Sequence, residues 1–301
     1  MGTFKIDDKT AKTTLVGADI FLIGDSEDLS GSDKKLKKSA LSNMLSYMQN
    51  NLSFAARSVK YLTNTDSPFT ITDSDGYTTF ICDTSGGDID IILPTLADNQ
   101  ARNLEFIHQV GGGLLTIDGE GAETIDGMTE IELPKQYDRM TILGTTVEWA
   151  ILEERISCQL RLDTYAGYGS TDTKIMRFTN SRENYGNMFG ENHSTGYNGN
   201  TEGLEIIANK PGKYSFEFSL SSRAGSPDPV AISLNSTQLT TSVITIAASD
   251  RLAIDYAAGG TSASVSVSLF LAKNDIIRAH TNGNSPDTAA WCNFIATYIG
   301  N

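Results

Sequence analysis

The stretch GGGLLTIDGEGAETIDG, from Gly111 to Gly127, concentrates glycine and carboxylate and repeats Thr-Ile-Asp-Gly at Thr116 to Gly119 and Thr124 to Gly127. Three chemistries use such a composition. A phosphate loop of the Walker kind needs a lysine just after its glycines, and none is present at that spacing. A dinucleotide fingerprint must open a helix, whereas LLTID has the composition of a strand. An EF-hand loop sets its acidic ligands at fixed odd positions and closes on a glutamate, an order that Asp118, Glu120, Glu123 and Asp126 do not keep. A weak calcium site of another kind stays open, since carboxylates beside a tight turn can chelate. The simplest reading is two type I′-like turns, with Ile117 and Ile125 on one face of a small β unit. No metal and no cofactor is expected.

Catalytic constellations are sparse. His108, His193 and His280 are scattered, no serine sits in a G-x-S-x-G elbow, and HExxH does not occur. A glycosidase pair of carboxylates needs no motif and could hide among 37 acidic residues, which leaves a polysaccharide-cleaving protein as a minor alternative to a non-enzyme. Asn180 to Gly203, NSRENYGNMFGENHSTGYNGNTEG, offers a different chemistry. It mixes adaptable Asn, Ser and Gly with rigid aromatics, as binding loops do. Tyr185, Phe189, His193, Tyr197 and Asn198 are its candidate contacts, because aromatic faces and amides suit sugars. The competing reading packs the same loop on a rim or in an oligomer interface.

The elements that must position these residues fall into four segments. Residues 1–38 are polar except for the strip ADIFLIGDS, a short strand that cannot bury its own core and must dock on something. In 39–60, Leu41, Leu45, Met48, Leu52, Ala55 and Val59 alternate spacings of four and three, the a/d pattern of a heptad, with Ser39 as N-cap. Barely three heptads need support from the β-rich segments C-terminal to them, and they allow dimers as well as trimers. Residues 61–156 alternate short β runs with turn signals at Asp75-Gly76, Gly86-Gly87, Asp118-Gly119 and Asp126-Gly127, predicting an all-β module of hairpins. Residues 157–301 carry longer alternating strands such as KYSFEFSLSS and ASVSVSLFLA, predicting a jelly-roll β-sandwich. The fold class is therefore mostly β behind an arm and a short helix.

Composition narrows the partners. A formal charge of −14 repels phosphate backbones and anionic headgroups, so nucleic-acid binding is disfavoured. The basic run Lys34-Lys35-Leu36-Lys37-Lys38 is too short to reverse that. Cys82, Cys158 and Cys292 lie far apart without metal spacing and read as buried free thiols made in a reducing cytoplasm. No stretch reaches the roughly 18 apolar residues of a membrane span, and MGTFKIDDKT has no signal-peptide core.

In this order, the motifs resemble those of bacteriophage fibre proteins. ADIFLIGDS followed by KKLKKSALSNML is similar to their N-terminal attachment segments, and IILPTLADNQARNLEFIHQVGGGLLTIDGEGAETIDG followed by VEWAIL to a module common in such fibres. NKPGKYSFEFSLS, LFLAKNDIIRAH and WCNFIATYI resemble strands of trimeric heads of the complement and tumour-necrosis-factor type, although the Asn180 to Gly203 insert has no clear counterpart there. The resemblance implies a homotrimer of the virion surface. Ile20, Phe21, Leu22 and Ile23 would attach it to other virion proteins, and Leu41, Leu45, Met48 and Leu52 would trimerise it. The head would meet a host surface glycan or protein. Tail fibre and capsid decoration both remain open.

Overall fold

Alternation at period two runs through nearly every apolar stretch after residue 58, and strands result wherever one face of that alternation can be buried. The computed structural model describes residues 58–168, 174–191, 203–221, 229–256, 262–282 and 292–300. The expected arm, with Ile20 to Ile23, and the heptad residues Leu41, Leu45, Met48 and Leu52 lie outside the described residues. Val59, read from sequence as the last heptad position, instead opens a strand.

The described residues are mostly β, with helix limited to three short 3-10 turns. In the first half, β1 (Val59–Thr63), β3 (Thr79–Asp83) and β5 (Asn103–Val110) pair in parallel, and so do β2 (Phe69–Thr70), β4 (Ile89–Ile92) and β6 (Leu115–Asp118). The chain therefore winds through three coils, each giving one strand to either sheet. β7 (Glu130–Leu133), β8 (Arg139–Gly144) and β9 (Trp149–Arg155) then close the two sheets antiparallel.

This corrects the expectation of hairpins. Asp75-Gly76, Gly86-Gly87 and Asp118-Gly119 lie at strand ends and corners of the coils, and only Asp126-Gly127 forms a tight two-residue turn. There φ is +46° and +78°, and Ile125 and Met128 exchange backbone hydrogen bonds. Like residues stack from coil to coil: Ile89 beside Leu115, Ile91 beside Ile117, and Phe80 beside Phe106 with ring centroids 5.4 Å apart. The glycine run has a packing reason. A Cβ at Gly113 would stand 2.6 Å from the Gly87 carbonyl carbon, so bare backbone is what lets one corner rest on the next.

The second half is a sandwich. One sheet orders β11 (Met176–Tyr185), β10 (Gln159–Tyr168), β19 (Cys292–Gly300), β14 (Gly212–Ser221) and β17 (Ser262–Leu271). The other orders β12 (Phe189–Glu191), β13 (Ile206–Ala208), β18 (Ile276–Thr281), β15 (Pro229–Leu234) and β16 (Arg251–Tyr256). The antiparallel pairs β10 with β19, β13 with β18, β14 with β17 and β15 with β16 nest one inside the next. A two-stranded ribbon rolled over itself gives that nesting, which is the expected jelly roll. Phe178, Phe216, Phe218 and Phe294 fill its middle. The two halves share one continuous apolar core, within the compact unit Ser58–Asn301.

If coil stacking depends on glycine backbone, Gly113→Ala should destabilise by about 1–3 kcal/mol through overpacking. Gly76→Ala, with nothing within 4 Å of the added carbon, should be neutral or slightly stabilising. Urea denaturation of both variants checks the pair, and equal midpoints would contradict the account.

Candidate functional site

Among the described residues, a dense polar cluster lies where the coil stack meets the jelly roll. Lys210 stands just before β14, with a side chain that is 1% exposed. Its Nζ lies 2.9 Å from Glu154 Oε2 at the end of β9, and 3.5 Å from Asp126 Oδ2 in the tight turn. The Tyr298 hydroxyl of β19 lies 3.1 Å from the same Nζ and donates a short hydrogen bond to Glu154 Oε1. Burial, and then this bond to Glu154, pushes the Tyr298 hydroxyl far above the usual phenol range, so it remains a donor. Ile151 N–H donates to Asp126 Oδ1 at 3.0 Å, and Tyr214 Oη donates to the Lys210 carbonyl at 2.6 Å. The Asp126 carboxylate and the Lys210 backbone are thus each held in place by a neighbouring donor.

Further contacts line the seam. The Asn187 amide donates to the Glu130 carbonyl at 3.0 Å and accepts from the Glu132 N–H at 3.1 Å, completing the edge of β7. Glu132 itself is raised above the usual carboxyl range by burial and by Glu130 beside it. Lys273 donates to the Gly127 carbonyl, and the buried Asp138 Oδ1 accepts from the Ser157 backbone and hydroxyl at 3.1 and 2.8 Å. A cleft of about 350 Å³ opens among Gly127, Thr129, Glu130, Asn187, Asn209 and Lys273. Its walls offer one cation, one carboxylate and two amides.

Of the five residues expected to contact a receptor, Tyr185 and Phe189 are described. Tyr185 lies at the end of β11, not in a loop; its hydroxyl donates to Gln159 at 2.7 Å, and Lys135 Nζ sits 4.0 Å above its ring. Phe189 is buried in β12 against Tyr214, so it fills the core and offers nothing to a partner. His193, Tyr197 and Asn198 lie outside the described residues. What looked like one polar loop is, in its first part, a strand end and an edge strand flanking the seam residue Asn187. Within it, Asn187 bonds across the seam to β7, and Tyr185 bonds Gln159 of the adjacent strand β10.

Two histidines are committed to structure. His108 is fully buried, with Nδ1 2.8 Å from the Leu133 carbonyl and Nε2 2.7 Å from the Thr84 hydroxyl. A carbonyl only accepts, so Nδ1 carries the proton. His280 Nε2 lies 2.6 Å from Ser233 Oγ, but both are fully buried and no substrate reaches them. Among the described residues, no three His, Cys, Asp or Glu side chains converge on a metal position. The three cysteines are buried and free, and burial pushes Cys82 and Cys158 up to about 12.

No family model and no curated protein matches the chain. Among solved structures it is similar to murine APRIL at pH 8.5, with a TM-score of 0.33 and 10% identity, over 48% of this chain and 99% of that chain. It is similar also to the globular domain of the zebrafish complement 1qA protein, with a TM-score of 0.31 and 14% identity, again over 48% and 99%.

Removing the buried ammonium alone should be costly. Lys210→Met strands Glu154 and Asp126 and is expected to lose about 3–5 kcal/mol, whereas adding Glu154→Gln should recover part of it. Chemical denaturation of the single and double variants reads both effects.

His280 makes stability depend on pH. Burial, with the Arg278 guanidinium adding to it, pushes its imidazole from 6.5 down to about 3. Below pH 6.5 the unfolded chain therefore takes up a proton that the folded chain refuses until about pH 3. Stability from this group is complete above 6.5 and falls steadily as pH drops through that window. The melting midpoint should fall between about pH 7 and about pH 5, and His280→Gln should flatten that fall. An unchanged slope would contradict it.

Proposed function

We propose that this chain is a structural protein of a bacteriophage virion, a homotrimeric tail fibre whose jelly-roll head adsorbs to the host cell surface. Its N-terminal arm would dock on other virion proteins through Ile20 to Ile23. The observation that carries the reading is the seam: a stack of parallel coils is locked to a jelly roll across Lys210, Glu154, Asp126 and Tyr298. A stalk and a head built as one body suit a protein that must transmit contact at its tip to a particle. The motif order in the sequence supports the same reading.

Self-association is supported by the outer face of the sheet ordered β11-β10-β19-β14-β17. Ser215, Ser264, Ser266 and Ser268 line it with small side chains, Lys213 and Glu217 stand among them, and Phe270 and Ile299 are 68% and 52% exposed on the same face. Small side chains beside exposed apolar ones suit close packing of copies of the chain.

A head fibre or capsid decoration protein without a specific receptor is the second reading. It is favoured by the burial of Phe189 inside the fold, which removes one of the five residues assigned to receptor contact. Immunogold labelling of intact particles distinguishes the two, with label at the tail expected for adsorption and label on the capsid for decoration. Sedimentation of the purified chain should give a trimer. A stable monomer, or particles without label, would overturn the proposal.

A further inference from the structure

The cluster at the seam has the parts of a condensation site. Lys210 is a primary amine almost wholly withdrawn from water, 3.5 Å from one oxygen of the Asp126 carboxyl group. A second carboxylate, Glu154, is 5% exposed and touches the same amine at 2.9 Å. The two oxygens of Asp126 are differentiated: Oδ1 is held by the Ile151 N–H, while Oδ2 faces the amine. Another buried ion pair among the described residues, Arg278 with Glu205, cannot react this way because a guanidinium keeps its proton and is no nucleophile.

We propose that Lys210 and Asp126 become joined by an intramolecular amide bond, with Glu154 as the residue that moves the protons. The Lys210 ammonium gives one proton to Glu154, which passes it to Asp126 Oδ2. The freed lone pair on Nζ then attacks Asp126 Cγ, and the Cγ–N bond forms. Glu154 takes a second proton from the nitrogen and delivers it to Oδ2, the Cγ–Oδ2 bond breaks, and one water leaves. An ammonium and a carboxylate become a neutral amide and water, with Glu154 returned and no oxidant or co-reactant needed.

Two physical features favour the step. Positioning replaces the entropy of a bimolecular encounter: Asp126 hangs from a two-residue turn closed by the Ile125 and Met128 hydrogen bonds, and Lys210 from a backbone tied to Tyr214. Burial favours the product in part, since the amide removes the Lys210 and Asp126 charges from a site out of water, while Glu154, which loses its ammonium partner, keeps the Tyr298 hydroxyl as its donor. Asp126, 22% exposed, lies at the outer side of the cluster, where the released water can escape. The bond would tie stalk to head covalently, in a protein that contains only buried, unpaired cysteines.

Intact mass spectrometry of the purified, denatured full-length chain tests this directly. The expected result is a protein lighter by one water than its sequence dictates, and a proteolytic digest containing a branched peptide that joins the Asp126 and Lys210 segments. Lys210→Arg, Asp126→Ala and Glu154→Gln should each restore the full mass. A wild-type chain at full mass with linear peptides for both residues overturns the bond, and a Glu154→Gln chain still lacking the water overturns the role of Glu154.

Discussion

A lysine ammonium withdrawn from water tolerates few surroundings, and those of Lys210 come from three separate parts of the chain. Asp126 belongs to a turn, Glu154 to the end of β9, and Tyr298 to the last strand of the jelly roll. None of the three partners is near Lys210 in sequence, so the charge is satisfied only when the coil stack, its closing hairpin and the rolled-up head are all in register. Such a cluster adds little net stability, because desolvation offsets most of the attraction. It instead penalises every arrangement in which one partner is missing. That makes it a specificity device for how the jelly roll meets the coil stack, and the neighbouring contacts of Asn187, Lys273 and Asp138 are satisfied in the same arrangement.

The coil stack explains why the closing elements lie where they do. A parallel stack grows by adding coils and has no intrinsic end, since each coil presents unpaired backbone to the next. Here the direction reverses at β7 and β8, which pair antiparallel with the last coil, and β9 becomes an edge strand. Its exposed Glu153 pairs with Arg139, and its last residues run into the seam. The reversal thus ends the stack and brings Glu154 to Lys210.

Much of the jelly roll was legible in the sequence and less of the coil stack. In KYSFEFSLS, Tyr214, Phe216 and Phe218 alternate with polar residues, and only a sandwich buries one such face so fully. Short alternating runs with glycine between them describe a hairpin and a parallel coil equally well, because both bury one face and both need corners. A distinguishing signal did exist. Phe80-Ile81 and Phe106-Ile107 recur with a pair of glycines after each, at the 26-residue offset that also separates Thr79 from Glu105 across the coils. The seam was not legible, since a buried lysine is recognised by its partners, and for Lys210 these include Glu154 and Tyr298, 56 and 88 residues away. Asn187 and Tyr185 misled for the same reason, being polar toward neighbours that no local window contains.

Rolling a ribbon into a jelly roll pairs its first strand with its last, and this decides what the seam can use. β10 leaves the coil stack and β19 returns beside it, with Gln159 opposite Thr297 and Tyr298 N–H donating to the Cys158 carbonyl. A residue near the end of the chain therefore stands next to the point where the head begins. Tyr298 can reach Glu154 only because of this closure, so the longest-range pairing in the head is also the one that completes the seam. The Lys210 cluster therefore lies where the closing pair of the jelly roll, β10 and β19, meets the end of the coil stack.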